Sequence, residues 1–188
     1  MTIAVGNPFP ANVCVDSLRG RVSVSQFLGT GPVVIAFHRM WCPFCQQAAR
    51  ELAAAKDQLD TFGARVLLVY RDNLDTVRNS CSQRGLPFDC LSDSARELEN
   101  AAELKRISIG RYAAFSPGKL VRSLRTGNHL GRAKTGRLQG RGTFVLDRDG
   151  HIVYAHQAVT AADIPPIGHV LAAVESAVDN CKTGQRTI

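Results

Sequence analysis

The stretch that most limits how this chain can fold joins an unbroken apolar run to two cysteines that lie three residues apart. The run spans residues 32–37, and Cys42-Pro43-Phe44-Cys45 follows it closely. Such a run is typical of a strand buried on both faces. After the cysteines, alanine and leucine recur at helical spacing to about Asp60. The pattern predicts a buried strand, a turn that carries both cysteines, and an amphipathic helix.

The rest of the chain alternates between strand and helix signals. Valines around the turn at residues 18–21 predict a short N-terminal hairpin. Periodicity and end signals predict a strand at 64–70, a helix that Asp72 caps and that runs to about Arg84, an extended piece at 87–91 and a helix capped by Asp93 or Ser94. They also predict a strand at 142–146, a turn at 147–150, a partner strand at 151–156 and a last helix capped by Asp163. This order predicts an α/β fold whose central sheet is parallel in its middle and antiparallel at its closing hairpin.

The length of 188 residues fits a single domain. Within residues 1–188 we expect an N-terminal hairpin extension over 1–28, an irregular basic insertion over 107–140 and a flexible tail over 181–188. Hydrophobic residues make up 45% and charged residues 21%, which excludes general disorder. No apolar stretch approaches 18 residues, so no membrane span is expected. The start of the sequence lacks the pattern of a secretory signal, which predicts a cytoplasmic protein.

The formal net charge of +7 comes from one segment. Residues 104–146 contain ten Lys or Arg and no Asp or Glu, so the rest of the chain has a net charge of −3. Such a segment is either a solvated surface or a binding site for an anionic partner. Nucleic acid is not expected, because no recognised nucleic-acid motif accompanies the charge.

The position of Cys42 between a strand and a helix has a chemical consequence. The first amides of a helix lack partners within it and favour negative charge there. A thiolate at Cys42 is therefore stabilised, and Pro43 suits the first helical position. Cys45 lies one turn further on, so the two sulfurs can form a reversible disulfide. We expect Cys42 to be the exposed, attacking sulfur and Cys45 the deeper, resolving one.

Two other interpretations of the cysteine pair remain open from the residues alone. Such a pair can be half of a structural zinc site, but Cys81 and Cys90 do not supply a second pair at matching spacing. The spacing can also arise by chance between two inert thiols. We expect no metal and no organic cofactor. Cys14, Cys90 and Cys181 are most simply structural or incidental.

The region around WCPFC, together with PFDCLSD and RGTFVLDRDG, resembles the thioredoxin superfamily. More closely, it is similar to the peroxiredoxin-like branch, the alkyl hydroperoxide reductase and thiol-specific antioxidant family. The resemblance covers most of residues 6–178 and implies a thioredoxin-like α/β fold with an N-terminal β-hairpin and a mixed central sheet flanked by helices.

The resemblance also implies roles for individual residues. Cys42 stands at the position of the peroxidatic cysteine, and Arg141 at that of the arginine that holds the thiolate and polarises the peroxide. Where the family has Thr three residues and Pro seven residues before the cysteine, this sequence has Arg39 and Ile35. Cys81 falls in the helix where some relatives of the bacterioferritin-comigratory type carry a resolving cysteine.

These observations predict a thiol-dependent oxidoreductase with catalytic residues Cys42, Cys45 and Arg141. Its substrate is a hydroperoxide or a disulfide, and the resemblance leaves a lipid endoperoxide open. A thioredoxin-like protein or a small thiol is the expected reductant, and the sequence is compatible with a homodimer. The alternative is a non-enzymatic binding or redox-sensor module that uses the basic segment 104–146.

Overall fold

The computed structural model describes residues 3–105, 118, 121, 124–125, 140–160 and 162–184, and within them seven strands form one sheet. The strands are β1 (Cys14–Ser17), β2 (Gly20–Ser23), β3 (Val33–His38), β4 (Arg65–Tyr70), β5 (Asp89–Ser92), β6 (Gly142–Leu146) and β7 (Ile152–Gln157). The α-helices are α1 (Pro43–Ala54), α2 (Lys56–Thr61), α3 (Leu74–Gln83), α4 (Glu97–Ala101) and α5 (Ile167–Gly184).

The sheet is mixed, in the order β2-β1-β5-β4-β3-β6-β7. In this part of the chain β3 pairs in parallel with β4, and β4 with β5. The N-terminal hairpin joins one edge and the closing hairpin the other, both by antiparallel pairing. The predicted α/β class, with a mixed sheet and an N-terminal hairpin, is therefore confirmed.

Alternating side chains of the central strands build two cores. Val34 and Ala36 of β3 pack on the face covered by α1, α2, α3 and α5. Ile35 and Phe37 pack on the other face, against the N-terminal segment and α4. Because successive side chains of a strand point to opposite faces, an unbroken apolar run is what a strand covered on both faces requires.

The ends of several helices differ from the prediction. The side chain that caps α3 is Asn73, whose Oδ1 accepts the Thr76 N–H at 2.9 Å, rather than Asp72. Asp163 does not cap the last helix: its carboxylate accepts the Val159 N–H instead. Asp93 does bind first-turn amides of α4, those of Leu98 and Glu99, as predicted. The sequence thus identified polar residues near the start of these helices. It did not identify which of them accepts a hydrogen bond from a first-turn amide.

Most of the basic segment 104–146 lies outside the described residues, so the structure does not address the predicted insertion over 107–140 or its use as an anion-binding surface. Helix α5 continues to Gly184, and residues 185–188 of the predicted tail lie outside the described part. No helix among the described residues combines the length and the apolar character that a membrane crossing requires.

Candidate active site

Cys42 lies where β3 has ended and α1 begins. It occupies the N-cap of α1, Pro43 follows at the first helical position, and the Cys42 carbonyl accepts the Gln46 N–H at 3.0 Å. A proline is tolerated there because the first helical amide has no partner within the helix. The predicted strand–turn–helix placement of the two cysteines is present in the structure.

The two sulfurs are enclosed rather than open to solvent. Cys42 is 6% exposed and Cys45 is 1% exposed. Both pack with Phe44 in a small apolar cluster that Ala162 and Ile164 complete from the segment before α5. The expectation of an exposed Cys42 is therefore wrong, because residues far along the chain cover the start of α1. The order of depth is as predicted: Cys45 lies deeper.

Arg141 reaches both sulfurs from the neighbouring strand. Gly142 of β6 pairs with Phe37 of β3, which brings the residue before β6 beside the carboxyl end of β3. The Arg141 Nη1 lies 3.4 Å from the Cys42 Sγ and 3.5 Å from the Cys45 Sγ. The structure thus brings together the three predicted site residues.

The backbone around Arg141 fixes the direction of its side chain. Its Nη2 donates to the Thr160 carbonyl at 2.6 Å, and the residue is 3% exposed. At Gly140, any Cβ would overlap the carbonyl oxygen of Lys105, so only glycine permits this close approach of two backbones. The guanidinium is therefore held in place by two chain segments before any substrate arrives.

The two thiols share a single negative charge. The hydrogen bond with Cys45, burial and the charge on Cys45 raise the pKa of the Cys42 thiol well above its usual range. Burial opposes ionisation of Cys45 as well, but the hydrogen bond from Cys42 and the Arg141 guanidinium hold the pKa of the Cys45 thiol well below its usual range. One proton is thus shared by two sulfurs beside one cation, so the negative charge that the helix-terminus argument predicted at Cys42 belongs to the Cys42–Cys45 pair.

Several polar groups behind the cysteines were not identified from the sequence. Burial is the main cause that lowers the pKa of His38, and Arg141 adds to it, so this imidazole is neutral next to the site. Gln46 Nε2 and Arg84 Nη2 both donate to the Met40 carbonyl, at 2.9 and 3.0 Å. Gln46 is buried on the apolar face of α1. Its one sequence signal was a polar residue at a helical spacing that is otherwise occupied by apolar residues.

The remaining cysteines are separate from this site. Cys81 of α3 and Cys90 of β5 form a disulfide with a Cα–Cα distance of 6.7 Å. Cys81 is therefore bonded to Cys90, and not available to Cys42, in this structure. Cys14 is free and exposed. Among the described residues, no three His, Cys, Asp or Glu side chains are grouped as metal ligands.

Comparison with known proteins gives a consistent result. A sequence model described as the AhpC/TSA family matches residues 5–155. A search of curated proteins returns no match. The fold is similar to that of the bacterioferritin comigratory protein of Xanthomonas campestris, at 20% identity and a TM-score of 0.67, covering 93% of this chain and 99% of that one.

Two further solved structures have a similar fold. The peroxidoxin BcpB of Mycobacterium tuberculosis is 17% identical with a TM-score of 0.67, over 93% of this chain and 98% of that one. A putative thiol:disulfide interchange protein DsbE from Chlorobium tepidum is 14% identical with a TM-score of 0.66, over 94% of this chain and 99% of that one. At these identities the likeness is one of fold.

Proposed function

The chain belongs to the AhpC/TSA family and is a thiol-dependent oxidoreductase, and from this premise we propose that it reduces hydroperoxides through a redox cycle of Cys42 and Cys45 assisted by Arg141. One observation carries the proposal: the Arg141 guanidinium lies at hydrogen-bonding distance from both sulfurs. A cation fixed beside the reacting atoms stabilises negative charge as it develops, without reorganising during the reaction.

The first step is the attack of the Cys42 sulfur on a peroxide oxygen. Cys42 becomes the thiolate when its proton passes to Cys45 along the hydrogen bond that joins them. Since Arg141 is almost equidistant from the two sulfurs, it stabilises the charge on either one. The O–O bond breaks, the Cys42 sulfur is oxidised to a sulfenic acid, and the leaving alkoxide takes a proton from solvent to become an alcohol.

The second step closes the disulfide. The Cys45 thiolate attacks the sulfur of the Cys42 sulfenic acid, and the hydroxyl leaves as water after it receives the proton that Cys45 gave up. Cys45 is suited to this step because it lies one turn along the same helix. The sum of both steps is one hydroperoxide, one thiol, one thiolate and one proton from solvent converted to one alcohol, one water and one disulfide.

The apolar enclosure of the site favours an organic hydroperoxide over hydrogen peroxide. Phe44, Ala162 and Ile164 surround the sulfurs and also line an adjoining groove of about 220 Å³. An alkyl substituent buried against them gains transfer free energy that hydrogen peroxide does not. A thioredoxin-like protein or a small thiol then reduces the Cys42–Cys45 disulfide and completes the cycle.

A single-turnover experiment tests this cycle. One equivalent of cumene hydroperoxide is added to the reduced protein, free thiols are counted, and the new disulfide is mapped by mass spectrometry. We expect the loss of two thiols and a Cys42–Cys45 disulfide. Cys42→Ser removes the nucleophile and lowers the rate of peroxide consumption by more than about a thousandfold.

Two variants serve as matched controls. Cys45→Ser retains the first step and accumulates a sulfenic acid on Cys42, which a dimedone adduct at that residue detects. Cys14→Ser removes a thiol that is exposed and outside the site, so it leaves turnover unchanged. Full turnover in Cys42→Ser, or a disulfide that maps from Cys42 to another cysteine, contradicts the proposal.

A further inference from the structure

The Cys81–Cys90 disulfide lies in a groove that none of Cys42, Cys45 and Arg141 lines. The groove has a volume of about 750 Å³ and runs between the N-terminal hairpin and α3, with both cysteines in its wall. This volume is within the range of small-molecule sites in proteins. A disulfide with access to such a cavity is open to attack by a small thiol, whereas one sealed in a core is not.

The side chains that line the groove include more cations than anions. Four arginines line it, Arg19, Arg21, Arg65 and Arg78, against the single carboxylate of Asp89. Arg19 pairs loosely with Asp89 at 3.7 Å. Two more of the arginines have carboxylate partners outside the lining. Arg21 pairs with Glu97 at 3.3 Å and with Asp16 at 3.8 Å, and Arg78 pairs with Asp75 at 2.7 Å.

Those pairs leave the arginines available to a ligand. The Arg21–Glu97 and Arg78–Asp75 pairs are well exposed, and exposed pairs of this kind are weak and exchange readily with water. The Arg65 guanidinium lies 5.8 Å from the centre of the Phe27 ring, and the described residues offer it no carboxylate within ion-pair distance. Arg65 is thus the most available cation for a negatively charged group in the groove.

We propose that the Cys81–Cys90 disulfide is a second thiol–disulfide exchange site, which reacts with small thiols that carry carboxylates. The arginines attract the carboxylate and raise the local concentration of the thiol, while the disulfide accepts the electrons. Cys81 is buried in the core that α3 covers, and Cys90 packs against the same core but is only half-buried. The incoming thiolate therefore attacks the Cys90 side of the bond.

The exchange balances in two steps. A thiolate attacks the Cys90 sulfur, the S–S bond breaks, and Cys81 leaves as a thiolate that takes a proton. A second thiolate attacks the mixed disulfide at the sulfur of the small thiol, which releases the oxidised small disulfide and the Cys90 thiolate. Two small thiols are oxidised to one disulfide, and the protein disulfide is reduced to a dithiol.

The test compares three thiols of similar size and different charge. These are 3-mercaptopropionate (anionic), 2-mercaptoethanol (neutral) and cysteamine (cationic). They react with the full-length Cys42→Ser/Cys45→Ser protein, which lacks both active-site thiols, so these thiols do not contribute to the exchange that is measured. The opening of the disulfide is followed by acid quench, alkylation and mass mapping of Cys81 and Cys90. Rate constants are expressed per thiolate, because the three thiols ionise differently.

We expect the anionic thiol to react on the order of tenfold faster than the neutral one, and the cationic thiol to be slowest. Raising the salt concentration shrinks this difference. Arg65→Gln/Arg78→Gln lowers the preference, and the part that remains comes from Arg19 and Arg21. Arg50→Gln keeps it, because Arg50 is exposed on α1 and does not line the groove. The same mapping on the wild-type protein replaces the double serine variant if that variant does not fold.

Three results would overturn the proposal. The first is equal rates per thiolate for the three thiols. The second is an anionic preference that is as large in Arg65→Gln/Arg78→Gln as in the protein with all four arginines. The third is a rate that does not depend on thiol concentration, which means that the disulfide opens only when the protein unfolds. None of these results bears on the Cys42–Cys45 cycle, so the two proposals fail independently.

Discussion

The two cysteine pairs of this protein face arginines in different surroundings. The Cys42–Cys45 pair shares one guanidinium, that of Arg141, which is buried with it. The Cys81–Cys90 pair lies among arginines that are open to solvent. Charges act more strongly out of water, so the buried arginine controls ionisation of the sulfurs, whereas exposed ones act on what approaches from solution. Arginine thus stabilises a thiolate at the first pair, whereas at the second pair it attracts anionic molecules from solution.

The two pairs also differ in how the chain brings them together. Cys42 and Cys45 lie on one helical turn, so local structure alone places them side by side. Cys81 lies in the last turn of α3 and Cys90 lies in the next strand, so their contact depends on how α3 packs on the sheet. The regions meet at Arg84, three residues after Cys81, which donates to the Met40 carbonyl next to the first pair.

Replacing the buried arginine is expected to have the largest effect. Arg141→Gln removes the cation from both sulfurs and lowers kcat/KM for peroxide by roughly 10²- to 10³-fold. Arg141 acts to lower the pKa of the Cys45 thiol, so its loss shifts the midpoint of thiolate formation to higher pH. At any pH below the new midpoint, less thiolate is present than in the wild type. Iodoacetamide alkylation measured against pH reports the shift.

Arg148 offers a control with the same change of charge, because it follows β6 whereas Arg141 precedes it. Arg148→Gln removes an exposed guanidinium from the turn after β6 and leaves both the rate and the alkylation profile unchanged. An alkylation midpoint that stays in place in Arg141→Gln would show that Arg141 does not stabilise the thiolate.

The sequence predicted those features of this site that depend on residues close together along the chain. The apolar run and the helical spacing after it placed Cys42 and Cys45 at a strand–helix junction, and the resemblance supplied Arg141. The sequence did not predict that Cys42 is covered, since the cover comes from Ala162 and Ile164, more than a hundred residues later. The Thr160 main-chain carbonyl that accepts a hydrogen bond from Arg141 could not be predicted, because every residue has such a carbonyl.

Removing the second pair is expected to affect stability rather than turnover. Cys81→Ser opens a cross-link with a sequence separation of nine residues. A loop of this size restricts the unfolded chain enough to contribute about 2–3 kcal/mol to the free energy of unfolding. Urea denaturation of the variant and the wild type measures the difference, and the decrease in peroxide turnover is much smaller than in Arg141→Gln.

Cys14→Ser is the matched control for stability, because Cys14 is a free thiol at the surface. A free energy of unfolding in Cys81→Ser equal to that of the wild type would contradict the prediction. So would an equal loss in Cys14→Ser, because the effect would then not come from the cross-link.

The sequence predicted the fold class but not this disulfide, for a physical reason. Strand and helix periods are local, so the alternation of elements is visible in the sequence. The Cys81–Cys90 bond requires in addition that α3 returns over the sheet and that Cys90 pairs beside Leu68 of β4. A separation of nine residues across a helix end, a turn and a strand start does not specify that geometry.

The smallest expected effect concerns the start of α3, the helix that carries Cys81. Asn73 caps it through its side chain, whereas Cys42, at the same position of α1, makes no side-chain cap hydrogen bond. Asn73→Ala therefore lowers the free energy of unfolding by about 1 kcal/mol. Asn73→Asp retains an acceptor for the Thr76 amide, so its free energy of unfolding decreases much less. Urea denaturation measures the difference between the two variants. Equal losses in both would mean that the cap contributes nothing. Peroxide turnover stays at the wild-type level in both variants, because stability at the start of α3 is separate from the charge that Arg141 supplies at the start of α1.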